Sequence, residues 1–199
     1  MAVPHLASEN TMLVMDEPWQ PLDGLEVGLV DGLNAPRLHQ ITEIEEQSFP
    51  PCERLGPHLM QQQASLRTSG LLLAEVGASV GGFLLFSRTG ASGLITKLAV
   101  SPAFRRRGIG SALMRRGVEE LERPTRKSFL HEIQLHVDPA RTEARHLYES
   151  FGFKRQALLP AYYTDGRDCL LMRRILNKPA TDAGGLLPHN RIGGQPGAL

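Results

Sequence analysis

The segment Val100-Ser-Pro-Ala-Phe-Arg-Arg-Arg-Gly-Ile-Gly-Ser-Ala-Leu113 constrains the fold most, because it passes from a strand pattern through a basic glycine turn directly into a helical one. Before it, Gly93 to Val100 alternates, with Leu94, Leu98 and Val100 on one face and Ile95, Lys97 and Ala99 on the other. After it, apolar positions recur at Leu113, Met114, Gly117, Val118 and Leu121 until Pro124 stops the helix. A helix that starts at such a turn has unpaired backbone donors and a positive dipole end at its tip. Gly108 and Gly110 carry no Cβ to keep an anion from that backbone, and Arg105, Arg106 and Arg107 add positive charge beside it. The turn therefore reads as a phosphate site. It has neither the Lys-Ser or Lys-Thr pair of a Walker loop nor the glycine spacing of a Rossmann fingerprint. A solvated basic turn is the plain alternative, but eight basic residues against three acids lie between Arg105 and Lys127 in a chain of net charge +1.

Around this segment the order of elements is mixed α/β. Leu25 to Val30 reads as a strand and Pro36 to Gln47 as a helix, with Leu38, Ile41 and Ile44 at helical spacing; a second helix is expected from about Glu53 to Leu66. Gly70 to Val76 and Val80 to Ser87 form a hairpin across Gly77 to Ser79. Beyond the phosphate turn come a strand over Leu130 to Val137, a short helix over Arg141 to Ser150 stopped by Gly152, and strands over Phe153 to Leu159 and Asp168 to Ile175. Residues 1–24, with Pro4, Pro18 and Pro21, show no periodicity and are expected to be a flexible arm. Residues 178–199, rich in Gly and Pro, are expected to be a disordered tail, which leaves 25–177 as one domain.

Composition removes several classes of function. The 22 Lys and Arg nearly cancel the 21 Asp and Glu, so a protein that holds nucleic acid mainly by charge is disfavoured. The longest apolar runs, Leu71 to Ala74 and Phe83 to Phe86, fall far short of the ~20 residues of a membrane span. Cys52 and Cys169 have no metal-knuckle or CxxC spacing, so neither a metal nor a disulfide framework is expected. With no Lys or Arg in residues 1–36, a secretory or transit leader is not expected, and the cytoplasm, or the nucleus, is the expected compartment.

Arg105 to Gly110 fits the pattern of Arg or Gln, two residues, Gly, one residue, Gly or Ala. It is joined in order by Leu98-Ala99-Val100-Ser101-Pro102, Leu135-His136-Val137 and Ala144-Arg-His-Leu-Tyr-Glu-Ser-Phe-Gly-Phe153. In these segments the chain resembles the GNAT superfamily of N-acetyltransferases over about residues 36 to 176. Tyr162-Tyr163-Thr-Asp-Gly-Arg-Asp168 and Phe49-Pro50 are similar to the substrate-side segments of protein Nα-acetyltransferases, both the bacterial ribosomal-protein type and the eukaryotic catalytic subunits. The resemblance implies a mixed, mostly antiparallel sheet flanked by helices and splayed between the Gly93 and Leu130 strands, with acetyl-CoA in the gap as cosubstrate and no metal. Pantetheine would bond to the main chain of Leu98, Ala99 and Val100, and the pyrophosphate would rest on the amides of Arg106, Arg107, Gly108, Ile109, Gly110 and Ser111, with Arg105 also holding the cofactor. Many relatives have Asn where this chain has Arg141, a position that in the family helps to hold CoA.

Transfer to an amine needs a neutral nitrogen and a proton for the departing thiolate. An α-amine, with a reference pKa of about 7.7–8.0 against about 10.4 for lysine, can be deprotonated by a modest base. His136 shares a strand face with Gln134, opposite Ile133, Leu135 and Val137, so it can face the cleft and accept a proton directly or through water. A histidine bonded to a main-chain group is the structural alternative. The resemblance implies that Tyr148 protonates the sulfur and touches the cofactor, and that Phe49, Pro50, Tyr162 and Tyr163 line the acceptor side. The expected partners are then acetyl-CoA and a protein or peptide N-terminus, with an auxiliary subunit as a further candidate. The competing expectations are acetyl transfer to a small amine or a lysine, and a non-catalytic acyl-CoA-binding module.

Overall fold

The computed structural model describes residues 22–124 and 129–176. The expected tail lies outside the described residues, as does the expected arm apart from residues 22–24. The elements are β1 (Leu25–Val30), α1 (Ala35–Ser48), α2 (Gly56–Ala64), β2 (Ser69–Val76), β3 (Ser79–Thr89), β4 (Ser92–Val100), α3 (Ile109–Glu122), β5 (Glu132–Val137), α4 (Thr142–Ser150), β6 (Lys154–Leu159) and β7 (Cys169–Ile175). They form one seven-stranded sheet in the order β1-β2-β3-β4-β5-β7-β6, antiparallel throughout except between β4 and β5. This is the mixed α/β architecture expected. No helix among the described residues is long and apolar enough to cross a membrane.

Helices cover both faces of the sheet. On one side α3 buries Ile109, Leu113, Met114, Val118 and Leu121 against Leu72, Leu84, Ile133 and Leu135, and α4 adds Tyr148. Gly117 allows the close approach there, since a Cβ would come within 2.9 Å of the Leu84 side chain and force it to shift. On the other side Ile41 and Ile44 of α1 and Met60 of α2 pack on Leu71, Leu73, Phe83, Leu85 and Ala99.

Two expectations need correction. The second helix does not run from Glu53 to Leu66: a short 3-10 turn, Pro51–Glu53, precedes α2. Gly56 takes a left-handed φ of +71° ahead of Pro57, and the buried Glu45 carboxylate accepts the N–H groups of Leu55 and Gly56 at 2.8 and 3.0 Å, which fixes a bend at this point. In β4, Ile95 does not share a face with Lys97 and Ala99. The register against β3 shifts from Phe86↔Ile95 to Leu85↔Lys97, so Thr96 is an extra residue and the strand's faces exchange across it. Ile95 therefore joins the α3 core, while Ala99 joins the α1 core and Lys97 reaches Glu45.

The Lys97–Glu45 pair spans 3.0 Å between side chains that are 7% and 1% exposed, and Lys97 also donates to the Glu53 carbonyl. It ties the α1–α2 loop to β4. Glu45→Gln leaves a buried cation without its carboxylate and is expected to cost about 3–5 kcal/mol in urea unfolding. Adding Lys97→Met should return much of that loss, whereas an unchanged unfolding midpoint in the single variant would show that the pair does not hold this loop.

Candidate active site

The bulge at Thr96 also ends the pairing of β4 with β5. The two strands are in register from Ser92↔Glu132 to Ile95↔Leu135 only, although β4 continues to Val100 and β5 to Val137. Two adjoining cavities, of about 390 and 710 Å³, occupy the gap. Phe49, Leu98, Arg141, Ala144 and Tyr148 line both.

The larger cavity opens onto the basic glycine turn. Every residue expected to hold the cofactor lines it except Arg107, whose guanidinium lies 5.6 Å from the centre of the Phe104 ring. Gly108 caps α3 with a φ of +81°, and the first turn closes from Ala112 N–H to Gly108 O at 3.0 Å. The amides of Ile109, Gly110 and Ser111 thus point out of the helix tip, where an anion can receive them. Arg105 Nε donates to Val100 O at 3.2 Å, and the exposed Arg106 pairs with Glu143 of α4 at 3.3 Å.

The smaller cavity holds the polar chemistry. His136 projects from β5 and stacks on Tyr162, with ring centroids 5.2 Å apart and planes 8° from parallel. Burial lowers the His136 pKa from its ordinary 6.5, so the ring is neutral at pH 7 and able to accept a proton. Tyr148 is buried at the junction of the cavities, and its hydroxyl pKa is pushed up to about 12 by that burial, against a smaller lowering from the Arg141 guanidinium. It stays protonated and can donate. Tyr163 meets Tyr162 edge-on at 5.3 Å, and burial pushes its hydroxyl pKa up as well. The Phe49 ring lies beneath two cations, Lys97 at 4.0 Å and Arg141 at 4.8 Å. Pro50 lines neither cavity; its carbonyl accepts Glu53 N–H at 2.9 Å.

Sequence reading missed Glu53, Asp138, Asp165 and Arg167, which together with Arg141 bind the loops here. Arg167 donates to Glu53 Oε1 at 2.6 Å, to Asp165 at 2.6 Å and to Asp138, while Arg141 takes the other Glu53 oxygen, Oε2, at 3.0 Å. Glu53 thereby joins the α1–α2 loop to the β5–α4 and β6–β7 loops. Lys97 within its strand signals one carboxylate partner, which the fold supplies as Glu45; no comparable signal marks Glu53 or Arg167. Among the described residues no group of three or more His, Cys, Asp or Glu could hold a metal.

Residues 38–153 match the profile of the acetyltransferase (GNAT) family. The chain is 35% identical over 148 residues to a protein named uncharacterized N-acetyltransferase MJ1530 of Methanocaldococcus jannaschii, covering 71% of this chain and 86% of that one. It is 28% identical over 148 residues to the N-alpha-acetyltransferase of Sulfurisphaera tokodaii, covering 67% and 84%. In fold it is similar to Arabidopsis thaliana NAA60 in complex with acetyl-CoA, with a TM-score of 0.64 at 18% identity over 77% of this chain and 99% of that one.

The geometry of the histidine is open to direct measurement. In a proton NMR titration the His136 ring is expected to titrate below 6.5, and Tyr162→Ala should move it back toward that value by opening the ring to water. An unshifted wild-type ring would remove the case for a permanently neutral imidazole at pH 7.

Proposed function

Because this chain belongs to the GNAT acetyltransferase family and is an acetyl-CoA-dependent acyltransferase, we propose that its acceptor is the N-terminal α-amine of a protein or peptide. The observation that carries this reading is the half-buried His136, held neutral on the wall of the smaller cavity between the Tyr162–Tyr163 loop and Phe49. An α-amine, with a reference pKa of about 7.7–8.0, loses its proton to such a base far more readily than lysine at about 10.4. The name of the Sulfurisphaera relative agrees with that acceptor.

The larger cavity receives the phosphates on the α3 amides and Arg105 and Arg106, and pantetheine runs along the unpaired edge of β4 toward Leu98. The acceptor enters from the smaller cavity, so amine and thioester meet in one ternary complex. The nitrogen attacks the acetyl carbon, His136 takes the amine proton directly or through water, and Tyr148 gives its proton to the departing sulfur. Tyr162, Tyr163 and Phe49, which line the smaller cavity, border the first residues of the peptide in this reading. Two free cysteines, one exposed and one buried, suit the reducing cytoplasm as its setting.

The test is CoA release from acetyl-CoA over short peptides differing at their first two residues, beside N-terminally blocked lysine peptides and simple amines. Release with free α-amines alone is expected; release with blocked lysine peptides or small amines would replace this reading with the corresponding acceptor class. In the same assay His136→Ala should lower turnover by roughly 10²-fold or more near neutral pH, with acetyl-CoA affinity retained. A wild-type rate in that variant would end its assignment as the base.

A further inference from the structure

The thioester must sit where the two cavities meet, since one cavity admits the cofactor and the other the amine. Five residues line both, and four of them, Phe49, Leu98, Ala144 and Tyr148, carry no charge. The fifth is Arg141. We propose that Arg141 is a catalytic residue whose guanidinium stabilises the negative charge that passes from the acetyl oxygen to the sulfur during transfer.

Its placement suits that role. Arg141 stands at the N-cap of α4, its backbone N–H bonded to Asp138 O at 3.0 Å, so its root is fixed by the β5–α4 turn. The side chain is 30% exposed, lies 4.8 Å from the centre of the Phe49 ring, and gives one hydrogen bond to Glu53 Oε2 at 3.0 Å. Phe49 and Glu53 therefore aim the guanidinium while four of its five N–H donors remain available for a ligand. Its field already reaches the hydroxyls of both Tyr148 and Tyr163, where it opposes the effect of burial. A cation in such a half-buried place acts on developing charge more strongly than it would in water.

The step balances without a further reagent. As the amine nitrogen bonds to the carbonyl carbon, the C=O electron pair moves onto oxygen; when the C=O bond re-forms, the C–S bond breaks and its pair goes to sulfur. Arg141 gives up no proton. It lowers the energy of the oxyanion and then of the thiolate, while Tyr148 protonates the sulfur and the same cation eases the brief loss of the phenolic proton.

This inference rests on acyl transfer at this cleft and not on which amine accepts, so the variants are compared with whichever amine the wild-type protein acetylates best. A change of acceptor class would overturn the proposal of the preceding subsection and leave this one standing. Arg141→Ala should lower kcat by roughly 10²-fold, the order seen when one preorganised donor is removed, with little change in acetyl-CoA KM or in its calorimetric Kd. Methylguanidine should restore part of that kcat, and Arg141→Lys, which keeps the charge without the planar fork, should fall between the two. Retained kcat in Arg141→Ala would overturn the proposal. So would a loss confined to acetyl-CoA KM and Kd, which would make Arg141 a cofactor anchor. If Arg141→Ala does not fold, Arg141→Lys decides: a kcat equal to wild type with weakened acetyl-CoA binding would equally overturn it.

Discussion

The cleft of this molecule depends on one inserted residue in β4. A strand paired on both sides throughout its length has no free backbone groups and leaves no room for a ligand. Here the Thr96 bulge turns the strand by one residue, and β4 parts from β5 immediately after the Ile95↔Leu135 pair. The parting makes the two cavities. It also exposes the edge of β4 at Leu98 to Val100, which continues through a short turn into the donor-rich tip of α3. The same bulge sends Lys97 toward α1 instead of α3, so the residue that follows the bulge anchors the loop that roofs the smaller cavity.

That roof is held by charge as well as by the packing of Phe49 and Leu55 on the α1 core. Glu53 accepts from Arg167 and Arg141, Asp138 and Asp165 accept from Arg167, and Glu45 accepts from Lys97. Three loops far apart in sequence meet at one carboxylate, and each cation is also stacked over an aromatic ring of the cleft: Lys97 and Arg141 over Phe49, and Arg167 over Tyr163. Polar groups at such a site can remain water-accessible and still be well ordered, because each is fixed by more than one partner.

The parts legible in the sequence were those whose physics is local. The basic glycine turn and the helix tip it opens could be read from the spacing of Arg105, Gly108 and Gly110, because the demands of a helix tip are met within a few residues. His136 could be placed on the cleft side of β5 from simple alternation, and Gly152 stops α4 as expected, with Phe153 N–H reaching back to Tyr148 O at 3.1 Å. Illegible were features that arise only when distant segments meet. Nothing near Ile95 announces the extra residue at Thr96, which exists as a bulge only against β3. The bend before α2 depends on Glu45, ten residues from Leu55. Glu53 and Arg167 are separated by 114 positions, and no local pattern pairs them. Arg107 looked equivalent to its two neighbours, but in the folded turn it lies over Phe104 while they face the cavity.

The brevity of the β4–β5 contact has a mechanical meaning. The sheet is two halves, β1 to β4 and β5-β7-β6, whose strands pair at four positions only; the α3 core and the Glu53 bonds to Arg141 and Arg167 span the rest of the divide. Each half is antiparallel and continuous, whereas the four-pair seam gives way to the open cleft beyond Ile95↔Leu135. Any ligand that grips both banks of the cleft acts as a suture on that seam. Its binding energy is then also energy against opening, and slow amide exchange at the seam becomes a property of the liganded enzyme more than of the chain alone.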